Sequence, residues 1–148
     1  MKAPFLIGRL LFGGFFLYNG INHLRNRKQM APYAGSKGVP APELSVALTG
    51  IPLVIGGASL LLGAKPKIGA LAILGFLAGV SPVMHDFWRK EDPNERMNEM
   101  VNFSKNMALA GGALALMGVE EPWEASVSGG RHSGFGKRVK ALGRKFAA

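Results

Sequence analysis

The sequence predicts an all-α protein, a four-helix transmembrane bundle followed by a basic amphipathic C-terminal tail. Three observations lead there. Hydrophobic residues make up 48% of the 148, and they gather in blocks, whereas a soluble domain disperses them periodically. Glycine is abundant at 21 residues while charged residues reach only 18%, a balance suited to membrane helices, where glycine lets backbones approach closely. Finally, every block carries one small or polar stripe and one bulky apolar face. Such helices pack on one another through the small stripe and turn Leu, Phe and Ile to lipid.

Other classes are excluded or disfavoured by composition. Cysteine is absent, so the chain carries no disulfide, no thiol redox chemistry and no Cys-ligated metal or iron–sulfur centre. The net charge is +9, but the basic residues lie in loops and in the tail. An anionic membrane surface is therefore the expected partner and nucleic acid is not.

The spans are expected at about 4–23, 44–63, 68–87 and 97–118 within a domain covering residues 1–119, each close to the length that crosses a hydrocarbon core of about 30 Å. The first block, Phe5 to Tyr18, contains Arg9 and is followed by YNGINHL, not by a small-x-small cleavage site. It reads as a retained helix and not as a signal peptide. Arg9, Gly13, Phe16, Gly20 and His23 share one of its stripes. The loop from Arg25 to Glu43 is rich in Gly, Pro and Ser and predicts turns.

The second block, Leu44 to Leu62, has no charge, and Ser45, Thr49, Pro52, Gly56, Ser59 and Gly63 form its small or polar stripe. Pro52 removes a donor from the helix interior and predicts a kink. The short AKPK link makes the next helix an antiparallel neighbour. The third block, Ile68 to Met84, presents Gly75-x-x-x-Gly79 as a packing stripe, continuing to Pro82 and Asp86. The fourth starts polar, with Asp92 or Asn94 near its cap. It becomes wholly apolar after Asn106, and Gly112 lies on its small face.

Residues 120–148 read as a flexible linker and a tail. Phe135, Val139, Leu142 and Phe146 share a helical face in that tail, ringed by Lys137, Arg138, Lys140, Arg144 and Lys145. The pattern suits a helix lying on anionic lipid. The tail also tips a finely divided charge count toward cytoplasmic termini.

Function is sought where polar groups meet apolar helix ends, because such groups must pair or work. Counting spans puts the end of the first helix, the end of the third and the start of the fourth on one side. Asn19, Asn22, His23, His85, Asp86, Trp88, Asn102, Lys105 and Asn106 therefore converge at one interface, with Arg9 near the other. One account is structural: the Asn side chains bond across helices and Lys105 pairs with Asp86 or Glu99. Another is a quinone or similar ligand, with His85 and Lys105 as donors before an apolar slot. A weaker third is haem held by His23 and His85, two histidines with no established facing geometry. No metal site is expected.

The segments GRLLFGGFFLYNGINHL, HDFW and EMVNFSKNMALAGGALAL resemble the DoxX family of small bacterial four-helix membrane proteins, over about Gly8 to Gly118. The resemblance implies a multi-pass protein of the bacterial inner membrane. It also implies a place beside quinone-linked oxidoreductases and oxidative-stress complexes; redox protein partners and a homo-oligomer are the assemblies considered for the chain. No soluble catalytic domain accompanies it, so the expected role is a subunit of an oxidoreductase complex and not an enzyme on its own; a scaffold or small-molecule transporter is the alternative.

Overall fold

The computed structural model describes residues 3–123 and 125–127. These form α1 (Ala3–Arg25), α2 (Arg27–Ser36), α3 (Pro42–Leu62), α4 (Pro66–Met84), a short 3-10 turn at Phe87–Arg89 and α5 (Pro93–Met117). No strand occurs among the described residues. Three helices, α1, α3 and the α4 segment, are long and apolar enough to cross a membrane.

The predicted turns of the 25–43 loop are replaced by α2, a ten-residue helix that contains Pro32. Pro32 is the sixth residue of α2, so its missing N–H leaves the carbonyl of exposed Lys28 without an intrahelical donor. The helix forms nonetheless and ends at Ser36, two residues before Gly38 takes a positive φ of 78°.

Helix α1 runs antiparallel to α3, and their backbones nearly touch. Arg9, Gly13, Phe16 and Gly20 are the buried residues of α1. A Cβ on Gly20 would lie 2.6 Å from the Val54 backbone nitrogen, and one on Gly13 would lie 3.1 Å from the Gly57 carbonyl oxygen. From α3, a Cβ on Gly50 would lie 3.0 Å from the Gly20 oxygen. Helix α4 packs beside α3 in the same manner: Gly56 faces Gly69 and Ile73, and Gly69 faces Ser59. The α3–α4 turn is a Schellman motif, with Ala64 N donating to Ser59 O and Gly63 N to Leu60 O. Gly63 supplies its left-handed residue, at φ 64°. Ser59 Oγ ties the turn by donating to Ala64 O at 2.6 Å. Helix α5 closes the bundle against α4 and meets α1 where Phe12 lies over Gly112. Asp92 caps it, accepting from the backbone nitrogens of Asn94 and Glu95.

The inside is built from glycine, alanine and a few large residues, with Phe16, Leu53, Leu60, Ile73 and Leu77 almost fully buried. Bulky apolar side chains such as Ile7, Leu11, Leu48, Ile55, Leu71 and Leu114 point outward. That inversion suits lipid, not water.

One expectation about packing is corrected. Gly75 and Gly79 do not face a helix; both are exposed and nothing lies within 4 Å of a Cβ at either. Ile73, Leu77 and Ser81 supply the buried face of α4 instead, because a four-residue spacing repeats on several faces. On α3, the predicted Gly56 and Ser59 meet α4, and Gly50 and Gly57, outside the predicted stripe, meet α1.

The linker expected from residue 120 is not free over its first residues. Trp123 is 2% exposed, edge-on to Phe5 at 5.1 Å, with the Arg9 guanidinium 5.7 Å from its ring centre. Arg9 donates to Leu61 O and to Ala125 O, both at 3.1 Å. Val127 N donates to Leu62 O at 2.9 Å. A buried guanidinium with carbonyl acceptors and an aromatic face recruits the chain that would otherwise leave the bundle. Lys137, Arg138, Lys140, Arg144 and Lys145 lie outside the described residues.

Gly20→Ala is expected to lower stability by about 1–3 kcal/mol through overpacking. Gly75→Ala should be neutral or stabilising by about 1 kcal/mol, since it restores helix propensity in open space. Thermal melts of the two detergent-solubilised variants check the contrast, and equal losses would contradict this packing. Trp123→Ala should cost about 3–5 kcal/mol in the same assay, as expected for emptying a buried aromatic site.

Candidate functional site

The antiparallel order brings the C-terminal ends of α1 and α4 together with the first turns of α5, and α2 lies at the same end. An apolar cleft of about 1050 Å³ is lined there by all five helices. This is at the upper end of small-molecule sites, roughly 300–1,000 Å³. Half of its lining residues are Phe, Leu, Val or Met, and Gly75 and Gly79 of α4 widen one side. The polar residues on it include Asn19, His23, Thr49, His85 and Asn106, with Tyr33 at the exposed α2 side.

His23 is fixed by α3: its Nδ1 lies 3.0 Å from Thr49 Oγ1. Thr49 Oγ1 in turn donates to Val46 O at 2.8 Å. The His23 ring stands edge-on to Phe76 at 5.9 Å between centres. Asn19 Nδ2 donates to Phe15 O at 2.8 Å.

An ion cluster borders the cleft. Lys37, on the turn after α2, donates to Glu99 Oε1 at 2.6 Å and to Asp86 Oδ1 at 3.3 Å. Glu99 Oε2 lies 2.8 Å from His85 Nδ1. Lys37 Nζ also sits 5.7 Å from the centre of the Tyr33 ring. The side chains of Lys37 and Glu99 are only 9% and 15% exposed, so each charge depends on the other. Burial pulls the Lys37 ammonium pKa down, but the hydrogen bonds to Glu99 and Asp86 together hold it above the ordinary lysine value. Burial pushes the Glu99 carboxyl up, and the hydrogen bonds from Lys37 and His85 outweigh it, leaving it below the usual glutamate value.

The predicted site residues thus separate into groups. His23, His85 and Asn106 share the cleft, and Asp86 joins it through the ion cluster. Trp88 is half exposed and packs with Phe87 and Phe103. Asn102 is partly buried but does not line the cleft, and Lys105 is exposed on α5. The cation that pairs Asp86 and Glu99 is therefore Lys37 and not the expected Lys105, because the α2 turn brings Lys37 over the start of α5. Lys37, Tyr33 and Thr49 went unnoticed as site residues. Lys37 lies in the connection between the first two spans, which alternation of spans puts on this same side, and that position is its signal in the sequence. Among the described residues, no group of three or more His, Asp or Glu is arranged to hold a metal ion.

A helical bundle with small residues inside, bulky apolar residues outside and three helices of spanning length defines a membrane protein in contact with the lipid bilayer. The DoxX family model matches residues 5–86, more than half of the chain, and the protein belongs to the DoxX family. The match takes in α1 to α4 and stops at Asp86, short of α5. No curated protein and no solved structure matches the chain.

The pH dependence of stability follows from the ion cluster. The Glu99 contribution is full above the ordinary glutamate pKa of about 4.3 and is lost as pH falls through its depressed folded value. The Lys37 contribution is full below about 10.4 and is lost as pH rises through its elevated folded value. Melting temperature between pH 7 and 3 should fall less steeply in Glu99→Gln than in the unsubstituted protein. At pH 7, Lys37→Met should be destabilised by about 1.5–3 kcal/mol, the range for a charged hydrogen bond. Parallel acid limbs in the two melting series would count against the cluster.

Proposed function

We propose that this protein is a four-span DoxX subunit of the bacterial inner membrane that holds a lipophilic small molecule in the cleft, in support of a membrane redox complex. In this reading α5 is the fourth span. Its polar first turns stay at the interface, and its apolar stretch after Asn106 enters the bilayer. The carrying observation is the cleft itself: a large apolar cavity with His23, His85 and Asn106 on its lining. That combination accommodates a ring or chain in the apolar part and a polar head at the histidines. A quinone or its reduced form is the leading ligand class. Lys105 has no part in it, since it is exposed and off the lining.

Redox chemistry would reside in partner subunits. The termini are assigned to the cytoplasm, and the basic tail is assigned to the anionic inner leaflet. A scaffold reading is favoured by one observation, the mutual pairing of Lys37, Asp86, Glu99 and His85. Interfacial charges that satisfy one another also serve to hold helices together.

Filling the cleft separates the two. Gly79→Trp adds an indole where nothing lies within 4 Å of the Cβ position. It should leave the melting temperature within a few degrees of the unsubstituted protein and at least halve the quinone and quinol recovered by lipid extraction. Unchanged recovery, or no quinone or quinol in either preparation, would favour the scaffold.

A further inference from the structure

We infer that the gap between α3 and α4 is an outlet for a chain: the ligand of the cleft is an amphiphile whose head lies at His23 and whose apolar chain runs out between these helices into the bilayer. The inference rests on the ligand-holding role proposed for the cleft. It adds which class of lipophile fits and where its chain goes.

The two helices touch near the turn that joins them and part at the other end. A Cβ on Gly56 would lie 2.8 Å from the Gly69 carbonyl oxygen and 2.7 Å from the Ile73 side chain. Further along α4, nothing lies within 4 Å of a Cβ at Gly75 or Gly79. On α3, Pro52 stands between the contact at Gly56 and the parted end. It lacks the N–H that Leu48 O would accept, and helices bend readily at such a point.

The parted faces belong to the cleft and to the outer surface at once. Leu48 of α3 and Gly75, Gly79 and Val83 of α4 line the cleft and are also exposed, which marks an opening. Gly79 and Gly75 lie about 8 and 14 Å along α4 from its Met84 end, at about 1.5 Å per residue. The α4 segment is long and apolar enough to span, so an opening at that depth faces hydrocarbon and not water. His23 ties the polar part of the cleft to this opening. Its Nδ1 lies 3.0 Å from Thr49 Oγ1 on α3, and its ring stands edge-on to Phe76 of α4 at 5.9 Å between centres. Thr49 follows Leu48 and Phe76 follows Gly75, so a head group at His23 has the opening beside it. A chain gains little by leaving the bilayer for the gap, because both surroundings are apolar. The gap therefore acts sterically: it admits a chain that a closed pocket would exclude, and a side chain placed in it should shut the chain out.

The test compares ubiquinone-0, a ring without a chain, with decylubiquinone, the same ring carrying a decyl chain. Binding to the full chain in phosphatidylcholine nanodiscs is measured as the excess over empty nanodiscs. It is referred to the mole fraction of each compound in the lipid, which removes the chain's own partitioning. On that scale the unsubstituted protein should bind the two within about 3-fold of each other. Gly75→Leu puts an isobutyl group in the gap. It should weaken decylubiquinone about 10-fold and change ubiquinone-0 by less than about 3-fold. Leu48→Trp, on the facing wall, should give the same split. Both positions are exposed, so both variants should melt within a few degrees of the unsubstituted protein. If ubiquinone-0 binds and decylubiquinone is rejected, or if both substitutions weaken both compounds alike, the cleft holds ligands and no chain leaves between α3 and α4. If both compounds bind and neither substitution changes either, bilayer lipid alone occupies the gap and the outlet is refuted. If neither compound binds above empty nanodiscs, the quinone-holding role of the cleft fails, and the outlet with it.

Discussion

Helices α1 and α3 approach so closely that their glycines meet backbone to backbone, Gly13 against Gly57 and Gly20 against Gly50. In lipid there is little hydrophobic gain from bringing two apolar helices together, so close van der Waals contact between small residues must supply the attraction. The rest of the bundle depends on this contact. It fixes His23 beside Thr49 at one end and Arg9 beside Leu61 at the other. It also leaves α4 and α5 to pack on the remaining faces of α3 and α1.

The two ends then resolve their polar groups differently. At the α1 N-terminal end a single buried cation, Arg9, is covered by backbone carbonyls and the Trp123 ring, and the chain after α5 folds back to do so. At the opposite end the polar groups are spread over three segments. Lys37, Asp86, Glu99 and His85 satisfy one another, which ties the α2 turn to the start of α5 across the end of α4. Sealing one end and latching the other leaves the cleft between them, open where Gly75 and Gly79 lack side chains.

Much of the fold was legible in the sequence because it follows from local chemistry. Uncharged apolar runs can only be helices once removed from water, Asp92 announces the start of α5, and Pro and Gly mark the α3–α4 turn. Helix α2 was not legible: its Pro, Gly and Ser content suits a turn, and contact with α3 overrides that local preference. Nor was the phase of α4. Gly75 and Gly79 have the spacing of a packing motif, but Ile73 and Leu77 one face away fit the hollows of the bundle. The candidate site was half legible. Span counting alone puts His23, His85 and Asn106 at one interface. It cannot distinguish Lys37 from Lys105 as the partner of two carboxylates, because that depends on the path of a connecting segment.

By itself the sequence determined that this chain is helical, belongs in a membrane and gathers His23, His85 and several amides at one side. Those properties are sums over residue types and their periods, and need no knowledge of neighbours. Only the tertiary structure decided which glycines touch, which cation completes the ion cluster and which side chains line the cleft. Each of these is a matter of a few ångströms between residues far apart in the chain, where periodicity carries no information.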